Sequence, residues 1–209
     1  MSAPIDHYPN FLAEQLATEA FKILWEELDW KRVTRRREYW TNEFNRPYSY
    51  GKPEYARVYE PQPTHNTIDY IWKCVELMNG TMYEGCFLNG YETNQDALEW
   101  HADDDPGIDH NKPIAIVTLY DGPVAVPAAH GMRPAGPKLT PARTIQFMPQ
   151  GGTKADVEEI HMAHGSLILM RPGMQQTHFH RIPKAGFVPR PRISLTFRGL
   201  IAQETAHIT

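Results

Sequence analysis

From about residue 85 onward the chain is a series of short apolar runs with no long helical pattern between them. "KPIAIVTLYDG", "RTIQFMP", "HGSLILMRPG" and "PRISLTFRGL" are rich in Ile, Leu, Val, Thr and Phe, and Gly or Pro bounds them. Parallel strands need crossovers of a dozen or more residues, usually helices. The strands here do not alternate with such helices, so the pattern predicts an antiparallel sandwich or jelly roll. Eighteen prolines and fourteen glycines in 209 residues supply the turns between short strands. The irregular stretch 121–142, "DGPVAVPAAHGMRPAGPKLTPA", reads as a long loop inserted between two strands.

Two helices are expected before the strands. "NFLAEQLATEAFKILWEELDW" sets Leu12, Leu16, Phe21, Leu24, Trp25 and Leu28 near helical spacing, with Asn10 as the N-cap. "NTIDYIWKCVELMNG" repeats the pattern with Ile68, Ile71, Trp72, Val75 and Met78, and Gly80 can supply a left-handed C-terminal residue. Both read as helices that cover a core. With no internal repeat and no linker, the expectation is one α+β domain over residues 1–209.

The N-terminus lacks a basic start followed by an apolar core, and no stretch reaches the roughly 18–20 apolar residues of a membrane span. The expectation is a cytoplasmic, monomeric protein that does not bind membranes, with Cys74 and Cys86 as free thiols. A net charge of −4 argues against a chain coated with positive charge for nucleic acid. Five basic residues nevertheless crowd into "KRVTRRR" (31–37). That run is either a solvated surface or a local phosphate-binding edge, whose reach is about a Debye length of roughly 8–10 Å.

Opposite in charge is "EWHADDD" (99–105). On a strand, residues i and i+2 share a face, so His101 and Asp103 can converge on one ion. Trp100 points the other way, toward core packing. A third donor must come from elsewhere, and "QTHFHRIPK" offers His178 and His180 on one strand face. Two histidines and a carboxylate make the facial triad of non-haem Fe(II) oxygenases. In "RISLTFR", Arg192, Ser194, Thr196 and Arg198 share one face, and Ile193, Leu195 and Phe197 the other. The two arginines are separated by about 20 Å of backbone, and their long side chains narrow the gap to suit a short dicarboxylate gripped bidentately. Metal ligands plus such a clamp describe a 2-oxoglutarate-dependent oxygenase.

These stretches resemble, in order, the motifs of the AlkB family of Fe(II)/2-oxoglutarate dioxygenases. "NGYETNQDALEWHADDD" is similar to its N-x-Y and H-x-D segments, "AHGSLILM" and "QQTHFHRIPKAGF" to its G-[SD]-L-x-x-M and H-x-[IVL]-P-K segments, and "PRISLTFRGL" to R-x-N-L-T-F-R. The likeness covers about residues 34–200. It implies a double-stranded β-helix (about 85–200) with two supporting helices and a nucleotide-recognition lid (about 34–60). It also implies Fe(II) on His101, Asp103 and His180, with His180 chosen over His178 because it directly precedes "RIPK". Asn89, Tyr91, Arg192, Ser194 and Arg198 fall on the 2-oxoglutarate positions, and Ser194 departs from the usual asparagine. Trp40, Tyr48, Tyr50, Asp105 and Arg143 fall on substrate positions. The implied activity uses Fe(II), 2-oxoglutarate and O2 to dealkylate N-alkylated bases of DNA or RNA, releasing succinate, CO2 and an aldehyde. The rival readings are hydroxylation of a protein, lipid or small molecule, and a non-catalytic jelly-roll binding module.

Overall fold

The computed structural model describes residues 2–51, 56–126 and 139–202. In chain order the elements are β1 (Ile5–Tyr8), α1 (Glu14–Glu27), β2 (Arg37–Asn42), β3 (Tyr48–Tyr50), β4 (Arg57–Tyr59) and α2 (Asn66–Asn79). Then come β5 (Gly85–Tyr91), β6 (Leu98–His101), β7 (Ile114–Tyr120), β8 (Thr144–Pro149) and β9 (Glu158–His161). The chain continues through β10 (Ser166–Met170), the short α3 (Met174–Thr177), β11 (His178–Ile182) and β12 (Arg192–Arg198). Every paired strand is antiparallel.

The strands form a six-stranded sheet, β1-β10-β7-β12-β5-β2, a four-stranded sheet, β6-β11-β8-β9, and the hairpin β3-β4. This is the jelly-roll class that the strand pattern predicts. Alternation along the central strands sorts side chains between two faces. Ile193, Leu195 and Phe197 join Leu88, Val117 and Leu167 on the outer face, where α1 and α2 cover them with Phe21, Leu24, Ile71 and Val75. On the inner face, Ile114, Ile116, Ile168 and Met170 pack against Ile145, Phe147 and Ile182 of the small sheet. A third cluster, Trp40, Phe87, Tyr59 and Leu200 with Tyr48 and Tyr50, seats the hairpin.

Both helices form where the periodicity places them, with different starts. Leu12 donates its backbone N–H to Gly165 O at 2.9 Å, and the chain stays extended at Ala13 (φ −59°, ψ 141°). The first helix therefore begins at Glu14, with Ala13 rather than Asn10 as its N-cap and no side-chain cap hydrogen bond. The second is capped by His65, whose ring accepts from Thr67 N–H. Gly80 closes it in the left-handed conformation, φ 70°. Met78 is exposed, unlike its predicted core neighbours.

The segment expected as a lid divides in two. β2 is an edge strand of the large sheet, and only β3-β4 forms a separate hairpin. Residues 52–55 of the expected lid and 127–138 of the expected 121–142 loop lie outside the described residues. The loop's flanks meet through a bridge between Ala125 and Pro141. Cys74 and Cys86 are free. Among the described residues, no helix is long and apolar enough to cross a membrane.

Candidate metal centre and its cleft

Three donors converge where the small sheet meets the inner face of the large one. One ligand atom each from His101, Asp103 and His180 lies within 4.8 Å of the others. Pairing of β6 with β11 sets His101 directly across from His180, with ring centroids 4.1 Å apart. His101 Nδ1 is 2.8 Å from Glu99 O. A carbonyl can only accept, so Nδ1 carries the proton and Nε2 is left free to ligate. His178 shares the His180 face but turns Nδ1 toward Thr177 Oγ1, 2.9 Å away, and stands outside the cluster.

Asp103 is fully enclosed. Burial alone would push its carboxyl up, but the Arg198 guanidinium, with smaller help from His180 and His101, holds it far below the usual carboxylate range. Arg198 donates to Asp103 Oδ2 from Nε at 3.1 Å and Nη2 at 2.8 Å. Asp103 Oδ1 stays near His101 Nε2, at 3.7 Å. The Asp103 N–H donates to Gln175 Oε1 at 2.9 Å, so α3 fixes the backbone of this residue. Burial, with His101 and Arg198 nearby, pushes His180 down to about 3, leaving it neutral and able to ligate. Asp103 opposes that shift.

The cleft beside these donors is lined by Arg36, Tyr48, Tyr50, Tyr59, Phe87, Asn89, Leu98, His101, Asp103 and Arg198. Tyr48 donates its hydroxyl to Asp105 Oδ2 at 2.6 Å, and Tyr50 meets the His101 ring edge-on at 6.3 Å. Burial raises both tyrosines above their ordinary range, Tyr48 the more strongly. It also raises Asp105, against the pull of the Tyr48 hydrogen bond and Arg198.

Deeper along β12 is a second group of predicted residues. Arg192 is 0% exposed and sits over the Tyr91 ring at 4.1 Å. Its Nη1 reaches only the Met162 sulfur, and Nε and Nη2 are buried without any partner. Among the described residues no carboxylate pairs with it. Asn89 Oδ1 and Arg198 Nη1 are likewise buried and unpartnered. Ser194 stands between Asn89 and Thr118 in the strand register, and Thr118 Oγ1 is also unsatisfied. Buried polar groups are nearly always paired. Orphaned guanidinium donors on Arg192 and Arg198 beside a three-ligand cluster fit an anionic, oxygen-rich co-ligand together with a metal ion.

Several expectations need correction. The symmetric two-arginine clamp is absent: Arg198 commits two of its nitrogens to Asp103, leaving one spare. Arg143 is buried and donates to the backbone carbonyls of Thr93, Asp96 and Pro183, bracing loops instead of facing the cleft. Trp40 is also buried, bonded to Arg46 O and packed beneath Tyr48 and Phe87. Trp100 is not in the core: it is half-buried on the outer side of β6 with Arg181 4.5 Å from its ring. Most of the 31–37 run is spent on local pairs, with Lys31 on Asp29, Arg32 and Arg37 both on Glu92, and Arg36 near buried Glu38.

The sequence did not point to Tyr59, Phe87 and Leu98 in the cleft wall, nor to two polar residues at the site. Arg36 lines the cleft and donates to Ala97 O at 2.7 Å, and its only sequence signal was membership in the basic run. Gln175 had no signal at all.

The family described as "2OG-Fe(II) oxygenase superfamily" matches residues 4–198. The chain is similar to human alpha-ketoglutarate-dependent dioxygenase alkB homolog 3, at 26% identity over 200 residues, covering 91% of this chain and 64% of that protein. It is also similar to the DNA oxidative demethylase ALKBH2 of Arabidopsis thaliana, 25% identical over 154 residues, covering 73% and 46%. The chain thus spans less than two thirds of these relatives' length. A solved structure of a prolyl hydroxylase with a hypoxia inducible factor peptide fragment, from Trichoplax adhaerens, shares the fold. Its TM-score is 0.53 at 14% identity, covering 94% of this chain and 84% of that one.

Proposed function

The chain belongs to the 2OG-Fe(II) oxygenase superfamily, which works with Fe(II), 2-oxoglutarate and O2, and from that premise we propose that it oxidatively dealkylates N-alkylated bases of nucleic acid. One observation carries the choice of substrate: an aromatic wall of Tyr48 and Tyr50 shares a narrow cleft with His101 and Asp103, two of the three clustered donors. A base lifted from its stack needs aromatic faces and polar partners for its edge. Asp105, held at the margin by Tyr48, is such a partner. The names of the relatives, a dioxygenase and a DNA oxidative demethylase, support the same reading.

When bound, Fe(II), 2-oxoglutarate and O2 supply the oxidising power: 2-oxoglutarate goes to succinate and CO2, and one oxygen atom enters a substrate C–H bond. The chain's share is to hold, orient and exclude water. His101 presents Nε2 because Glu99 O takes the other ring proton. Asp103 stays ionised because Arg198 occupies its outer oxygen. His180 is neutral because its site is dry. Arg192 and the spare Nη1 of Arg198 would hold the carboxylates of 2-oxoglutarate, Asn89 could donate to them only from its amide nitrogen, and Ser194 and Tyr91 flank them. Tyr48 and Tyr50 would press the base so that its alkyl carbon faces the donors. Once that carbon bears a hydroxyl, the C–N bond breaks with its electron pair going to the nitrogen, the hydroxyl gives up its proton, and the aldehyde leaves.

The test is anaerobic purification, loading with Fe(II) and 2-oxoglutarate, and mass spectrometry of oligonucleotides carrying 1-methyladenine or 3-methylcytosine. Loss of the methyl group, absent in His180→Ala, is expected. Succinate without demethylation of any oligonucleotide would overturn the nucleobase assignment and move the search to proteins, lipids and small molecules.

A further inference from the structure

Beside the cleft, and sharing Arg36, Tyr50, Leu98 and His101 with it, runs a groove of about 360 Å³. Its rim carries Arg35, Arg57 and Lys184. None of these three is in an ion pair among the described residues, unlike the other cations of the 31–37 run. Two acids border the groove, and the Asp96 carboxylate is already taken by the N–H groups of Glu92 and Thr93. Asp96 and Glu99 together leave the three rim cations in excess. On a chain of net charge −4, this local excess of cations is an edge to which a polyanion is drawn.

The floor supplies a second, independent feature. Trp100 lines the groove, and Arg181 covers its ring from 4.5 Å while donating to Gln146 Oε1 at 2.7 Å. A half-buried indole held beneath a fixed guanidinium is a rigid surface on which a flat ring can stack. Cations along a rim with an aromatic platform between them are the pattern of single-strand binding, where phosphates meet charge and bases meet rings. A small anion would need the charge alone, and a paired base has no face free for Trp100.

We propose that this groove seats the unpaired nucleotides next to the target base, with phosphates on Arg35, Arg57 and Lys184 and a base on Trp100. The assignment rests on the nucleic-acid reading of the adjoining cleft and extends it beyond the modified base. Glu99, close to the His101 end, sets the limit of the phosphate track.

The measurement is the affinity of the full chain for fluorescein-labelled oligothymidylate, single-stranded and annealed to oligoadenylate, across a salt series. The variants are Arg57→Glu/Lys184→Glu, Trp100→Leu and, as a charge-matched control, Lys22→Glu/Lys73→Glu on α1 and α2. The groove pair is expected to weaken single-strand binding at least about tenfold and to flatten the salt dependence, by about 0.7 in log–log slope for each phosphate no longer neutralised. Trp100→Leu is expected to weaken binding severalfold with the slope intact, and the control to stay near wild type. Circular dichroism of each variant guards against misfolding. Groove variants that bind like wild type would overturn the groove while wild-type demethylation of a methylated oligonucleotide kept the cleft reading alive. Duplex binding as tight as single-strand binding would overturn the unpaired-strand assignment. A wild-type protein that forms succinate yet demethylates no oligonucleotide would sink both.

Discussion

Arg192 holds a fully buried guanidinium with no acid paired to it among the described residues. An uncompensated buried charge costs several kcal/mol, so the fold tolerates it in expectation of a carboxylate. Arg192→Met is therefore expected to leave the ligand-free protein as stable as wild type or more so, while removing the rise in Tm that 2-oxoglutarate produces. A shift of wild-type size in the variant, read by thermal unfolding, would place the co-substrate elsewhere. The legible part of the site was the part with local spacing: His101 and Asp103 two apart, and the alternating face of β12. The Asp103–Arg198 pair, 95 residues apart, could not be read, because only the packing of one sheet on the other brings the two together. Trp100 was misread for a related reason. Strand alternation says that it opposes His101, but not whether that opposite face meets a core or solvent.

At the scale of elements, apolar periodicity found both helices and the principal strands, whereas their ends answered to tertiary contacts. α1 starts late because Leu12 is tied to Gly165 across the fold. Gly165 has φ +74°, and a Cβ there would stand 2.7 Å from Leu12 O. Gly165→Ala combines left-handed strain with that clash and should destabilise by about 2–3 kcal/mol, seen in urea as a lower midpoint at unchanged m. β1 and β9 escaped notice because four-residue strands carry too little pattern. One residue before Gly165, His164 joins α1 to β7: its Nδ1 accepts from Tyr120 N–H at 3.0 Å and its Nε2 meets Thr18 Oγ1 at 3.0 Å. Burial lowers its pKa, so it is neutral when folded and takes up a proton more readily when unfolded. This contribution is fully present above the unfolded value near 6.5 and is lost as pH falls from there through the lowered folded value. Tm should drop between pH 8 and pH 5. His164→Gln should flatten that drop, and an unchanged slope would mean that other groups dominate.

Considered whole, the molecule divides its candidate site between two sheets. β6, β11 and the turn after β6 supply the three clustered donors that could hold a metal ion, while β12 and β5 supply Arg198, Arg192 and Asn89. A metal ion alone would touch only the small-sheet side. A dicarboxylate chelating that ion and reaching Arg192 would join both sheets, so the two ligands should stabilise cooperatively. With Mn(II) as a redox-quiet stand-in, each near a hundred times its dissociation constant, 2-oxoglutarate is expected to add about 2.7 kcal/mol. For a chain of this size that is a rise in Tm of about 5–10 °C. 2-Oxoglutarate without metal should add far less, and EDTA should reverse the effect. Asp103→Ala lowers the starting Tm by stranding Arg198, so the quantity to read is the ligand-induced shift and not the absolute value. That shift should vanish in Asp103→Ala, and its survival would move the metal away from His101, Asp103 and His180.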